Sequence, residues 1–133
     1  MKTVSAISIL LLIALTVACG YSKKAAPATA GNIPAISQLS PDATTAGGPA
    51  FAMTVNGSKF SSKAVVNWNG TALTSNTSVI SPNQLTVSVP AAMIATPATV
   101  QITVTNPGTP GTGLYGGGGT LAETSTPMSF TIN

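Results

Sequence analysis

The chain has 133 residues, five basic side chains (all Lys), two acids, no His and one Cys. So few titratable groups argue against general acid-base catalysis, which needs positioned proton donors and acceptors, and two carboxylates cannot build a strong Ca²⁺ site. Four scattered lysines beyond Lys2 are too few for a nucleic-acid footprint, and solubility falls instead to Ser, Thr and Asn, which together number 42.

Met1 to Ala18 has the anatomy of a signal peptide. Lys2 and the amino terminus form a short positive region, and Val4 to Ala18 is an almost unbroken apolar run. As a helix, that run would span about 22 Å, short of a hydrocarbon core of about 30 Å, which favours a cleaved signal over a permanent span. It ends in Leu15-Thr16-Val17-Ala18-Cys19. This resembles the bacterial lipobox, with Thr16 standing where Leu is usual. The resemblance implies lipid on Cys19, cleavage before it, and a membrane partner through that lipid. Gly20 follows, and the absence of Asp there favours the outer membrane if the organism has one. An ordinary signal peptide with an incidental cysteine is the plainer alternative. Residues 19–32, from the lipidated Cys19 through YSKKAAPATAGN, read as a flexible, polar tether.

Residues 33–133 read as one all-β domain. Ile33 to Ser40 is a first strand, with Pro34 suited to an edge or a strand start. Pro41 to Pro49 is a turn rich in Pro, Asp and Gly. Phe51, Met53 and Val55 alternate with Ala52 and Thr54, the period of a half-buried strand. Asn56-Gly57-Ser58 is expected to interrupt that strand before Phe60 returns to the core. Val66 and Trp68 share one face of the next strand, and Asn69-Gly70 is a two-residue hairpin signal. Thr71 to Thr74 returns, Val79-Ile80 forms a short strand, and Ser81-Pro82-Asn83 turns it. Leu85, Val87 and Val89 alternate up to Pro90. Ala91 to Ala95 is a single helical turn. Val100, Ile102 and Val104, then Met128, Phe130 and Ile132, complete the set. About seven short strands with frequent turns over some 100 residues argue for a β-sandwich.

The ordered motifs Ile36-x-x-Leu39-Ser40-Pro41, Gly47-Gly48, Phe51-x-Met53-x-Val55-x-Gly57-x-x-Phe60, Val66-Asn67-Trp68-Asn69-Gly70, Leu85-Thr86-Val87-x-Val89-Pro90 and Val100-x-Ile102-x-Val104-x-Asn106-Pro107-Gly108 resemble an IPT/TIG domain. The resemblance extends over Ile33 to Asn133. It implies an immunoglobulin-like sandwich serving as an interaction or spacer module and carries no catalytic residues to transfer; no cofactor or metal is expected. One departure stands out. Between Asn106 and Pro127 the family has a short loop; here it is long and carries Gly116 to Gly119, flanked by Leu114, Tyr115 and Leu121. These three are the candidate contact residues, whereas Trp68 is expected in the core. The glycines lack the Lys and the strand-to-helix setting of a phosphate loop.

The expectation is thus a non-enzymatic lipoprotein of the bacterial cell envelope, displaying one immunoglobulin-like module to a protein or glycan. The alternative is a structural envelope or assembly subunit that packs through its edge strands.

Overall fold

A computed structural model describes residues 26–112 and 117–133. The signal segment 1–18, Cys19, Leu114 and Tyr115 lie outside the described residues. The strands are β1 Ala35–Ser40, β2 Ala43–Thr44, β3 Phe51–Ser58, β4 Val65–Trp68, β5 Thr71–Ala72, β6 Thr77–Ser81, β7 Gln84–Val89, β8 Ala98–Asn106, β9 Glu123–Thr124 and β10 Met128–Ile132. Three of these are two-residue pieces, which leaves the seven longer strands that the alternation predicts.

They form two sheets, β1-β3-β7-β6 and β2-β10-β8-β4-β5, with β9 also paired to β8. All neighbours are antiparallel except β2 and β10, which run parallel. This is the strand order of an immunoglobulin-like sandwich, whose first strand switches sheets part-way. Here the switch falls at Ser40-Pro41, between β1 in one sheet and β2 in the other.

The period-two pattern decides which side chains meet between the sheets. Met53, Val55, Leu85, Val87 and Val89 line one inner face, and Val66, Trp68, Ile102, Val104, Phe130 and Ile132 line the other; all are buried. Phe130 is the centre of an aromatic stack. Its ring lies 5.2 Å from that of Trp68 and 5.8 Å from that of Phe51. Trp68 is therefore a core residue, as its shared face with Val66 implies. Asn69 and Gly70 adopt φ of 47° and 85°, the left-handed pair that a two-residue hairpin needs to match strand twist, and they join Trp68 directly to Thr71.

Three local expectations change. The segment Pro41 to Pro49 is more than a turn, since Ala43 and Thr44 pair with Thr131 and Ile132. β3 is not interrupted at Asn56-Gly57-Ser58 but runs through to Ser58. Gly57 makes this possible, because a Cβ there would collide with the Ala35 carbonyl oxygen and the Phe60 ring. The break comes two residues later, at Lys59, where φ is 61°.

The connection after β8 is also shorter than the span from Asn106 to Pro127. Thr124 pairs with Thr105 and Glu123 with Asn106, on the side of β8 that β10 occupies further along. β9 and β10 are one lane, broken at Ser125 to Pro127. Ser125 bridges the break: its amide donates to the Val104 carbonyl at 2.8 Å, and its Oγ accepts from the Val104 amide at 3.0 Å. Pro127 has no amide hydrogen to offer a ladder.

Candidate functional site at the loop end

At one end of the sandwich four segments converge: residues 29–33 entering β1, 59–64 between β3 and β4, Pro82-Asn83 between β6 and β7, and the described parts of the connection after β8, 107–112 and 117–122. Backbone bonds tie the turns together. Phe60 donates to the Pro82 carbonyl and Gly57 to the Asn83 carbonyl, both at 2.9 Å.

Asn106, buried at the end of β8, joins the remaining segments. Its Nδ2 donates to the Asn32 carbonyl at 2.8 Å and to the Lys59 carbonyl at 2.7 Å, and its Oδ1 accepts from the Ser61 amide at 2.9 Å. One carboxamide thus satisfies three backbone groups from two loops, a task that needs two donors and an acceptor in one planar group. Sequence reading sees only an Asn before a Pro-Gly turn.

The glycine-rich connection is a small ribbon. Thr109 and Thr120 exchange backbone bonds at 3.1 Å in both directions, and their hydroxyls lie 3.0 Å apart. The N-terminal segment adds to it: the Thr29 amide donates to Gly119, and Leu121 donates back to Thr29, both at 2.9 Å. The Gly31 amide donates to Glu123 Oε1 at 3.2 Å. Within the segment 19–32, expected to be a flexible tether, Thr29 to Asn32 are therefore fastened to the domain. The glycines supply closeness. A Cβ on Gly31 would stand 2.5 Å from the Leu121 carbonyl oxygen, and one on Gly119 would collide with that of Thr109. Gly31→Ala should accordingly push the N-terminal segment off the ribbon, at about 1–3 kcal/mol. Amide exchange at Leu121 and Gly31 checks this; exchange as slow as in the parent chain would refute it.

Among the described residues, three neighbouring clefts at this end share lining residues. One of about 380 Å³ runs between Asn32, Ser61, Asn106, Thr120 and Leu121. A second of about 360 Å³ lies between Ser62, Lys63, Pro107 and Pro110. The third, about 280 Å³, lies between Phe60, Ser62, Ile80 and Pro82. Leu121, expected to be a contact residue, is 54% exposed on the first. Ile33 and Ile80 are the other large apolar side chains left open to solvent among the described residues. Nothing in the sequence marks Ile80 as exposed, since it resembles any strand residue. The Ser61 Oγ is buried without a partner among the described residues. No group of three or more His, Cys, Asp or Glu that could hold a metal occurs among the described residues.

The two-sheet strand order agrees with a comparison against protein families, in which the IPT/TIG domain matches residues 34–122. The chain belongs to the IPT/TIG family. IPT/TIG domains are immunoglobulin-like modules, generally non-catalytic and often used for protein interaction. The match begins at Pro34, just before β1, and ends at Ala122, just before β9. β10, beyond the matched residues, still pairs with β8 over Ile102 to Ala98 and carries Phe130 into the core of this IPT/TIG sandwich. A comparison with curated proteins returned no match.

Proposed function

We propose that the chain is an exported, lipid-anchored protein of the bacterial cell envelope that presents its IPT/TIG domain to a protein or glycan and performs no catalysis. The observation that carries the contact reading is the loop end itself. Its backbone is braced by Asn106, and it leaves clefts and the exposed Leu121 facing solvent. A braced surface loses little conformational freedom on binding, which favours affinity. The anchored part stands on the run into Leu15-Thr16-Val17-Ala18-Cys19. Acyl chains there would contribute about 0.8 kcal/mol per buried CH₂, so two or three anchor stably.

Metabolic labelling with a fatty-acid analogue tests the anchor. Wild type should carry the label in the membrane fraction, and Cys19→Ala should lose it. Equal labelling of Cys19→Ala would sink the lipoprotein reading. For the contact, a capture experiment with the anchored chain should lose its partner when residues 114–121 are replaced by a short turn. Capture unchanged by that replacement moves the contact elsewhere.

A further inference from the structure

We infer that the loop Lys59 to Lys63 and the β6–β7 turn form a second, non-covalent contact with the membrane, docking on anionic lipid headgroups and so fixing the orientation of the anchored module. The inference rests on the anchored reading for its geometry and concerns a different surface from the Leu121 cleft. Lys59 and Lys63 are both exposed on a loop that cannot easily rearrange. Asn106 Nδ2 holds the Lys59 carbonyl, Asn106 Oδ1 holds the Ser61 amide, and the Ala64 amide donates to Ser61 at 3.0 Å. Between the lysines Phe60 turns inward, buried, and donates to Pro82. This brings the β6–β7 turn beside the loop, with Ile80 59% exposed at the rim of their shared cleft.

Charge favours a lipid surface as the occupant. The sequence holds two acids beside its five lysines. Glu123 sits on β9, with its Oε1 taken by the Gly31 amide. Asp42 lies at the opposite end of the sandwich, where its backbone carbonyl accepts from the amide of Thr131, which pairs with Thr99 near the start of β8. Lys59 and Lys63 bracket Phe60 and Ser62, which line the cleft that Ile80 rims, and such a set suits shallow contact with anionic headgroups, where each lysine shifts partitioning about fivefold. So weak a contact would not hold a free protein. It persists when an anchor keeps it near the surface. The N-terminal segment enters the domain at this same end, and Cys19 lies ten residues before Thr29, a reach of at most about 36 Å.

The test is acetylation footprinting of the full mature chain on vesicles, read by mass spectrometry. Lys59 and Lys63 should acetylate several-fold more slowly on vesicles of phosphatidylethanolamine and phosphatidylglycerol than on phosphatidylcholine. The difference should vanish in about 1 M salt, where the Debye length falls to about 3 Å, and in Ile80→Asp, with Trp68 fluorescence confirming that the variant is folded. Equal rates on the two vesicle types overturn the inference. So does protection on both types that rises with protein density, which marks a second copy as the occupant. The mass of the isolated chain reports acylation of Cys19 independently. Should it be unacylated, the lipoprotein reading fails, and the chain is attached through the Cys19 thiol to a maleimide lipid so that docking receives its own answer.

Discussion

Phe130→Ala is expected to lower the stability of the sandwich by about 3–5 kcal/mol. Phe130 is fully buried and lies between Trp68 of β4 and the half-buried Phe51 of β3, so it links the two sheets. Truncating a buried Phe costs about 3–5 kcal/mol, because the transfer free energy is lost and a cavity remains. The upper part of that range applies here, since two ring contacts disappear together and each contributes about 0.5–1.5 kcal/mol beyond its area. Small domains hold about 5–15 kcal/mol in all. A urea titration followed by the emission of Trp68 reports both the lower midpoint and the solvation of the indole. Phe51→Ala should cost distinctly less, because that ring sits at the margin of the core. A Phe130→Ala cost below about 1.5 kcal/mol, well under the truncation range, would show that the sheets are joined mainly elsewhere.

The same core explains how much of the fold is legible in the sequence. Alternation over Phe51-Met53-Val55, Leu85-Val87-Val89 and Val100-Ile102-Val104 is a local signal, and each run is a strand. Asn69-Gly70 is equally local, because two adjacent residues hold the dihedral requirement. Signals fail where pairing is short or distant. β2 and β9 are two residues each, too brief to show a period. The bond from Thr29 to Gly119 spans 90 positions and joins small residues with no apolar stripe. Glycine misleads in a particular way: a run of it reads as freedom, whereas Gly31 and Gly119 serve backbone packing. Of the candidate site, Leu121 is legible as an exposed apolar residue in a polar loop. Asn106 is not, because nothing in an Asn-Pro-Gly sequence distinguishes a turn former from a carboxamide that bonds to two loops.

Asn106→Asp is expected to be more damaging than Asn106→Ala at neutral pH, and to recover as the pH falls. Alanine leaves the Asn32 and Lys59 carbonyls and the Ser61 amide without their partner. Buried groups orphaned in this way cost about 1–3 kcal/mol each, reduced here to the extent that water enters the neighbouring cleft. Aspartate keeps the acceptor for Ser61 but turns an anionic oxygen toward two carbonyl oxygens. Burial and these dipoles both disfavour the charged form, so the folded-state pKa of the new carboxyl must stand above its unfolded value. Above the folded value the penalty is complete. As the pH falls through it, the folded state takes up a proton before the unfolded state does, and stability is regained until the pH drops below the unfolded value. Protonated, the carboxyl can donate to one carbonyl, so recovery stops short of the parent. Urea midpoints for the parent and both variants between neutral and mildly acid pH decide the matter. Two variants that track each other with pH would mean that the carboxylate has swung into the cleft. A stabilised Asp variant at neutral pH would overturn the role assigned to Asn106. Exchange at the Ser61 amide separates the two substitutions further. Aspartate should keep it protected relative to alanine while the Thr29 to Asn32 segment loosens in both, since only the bond to Ser61 survives the change.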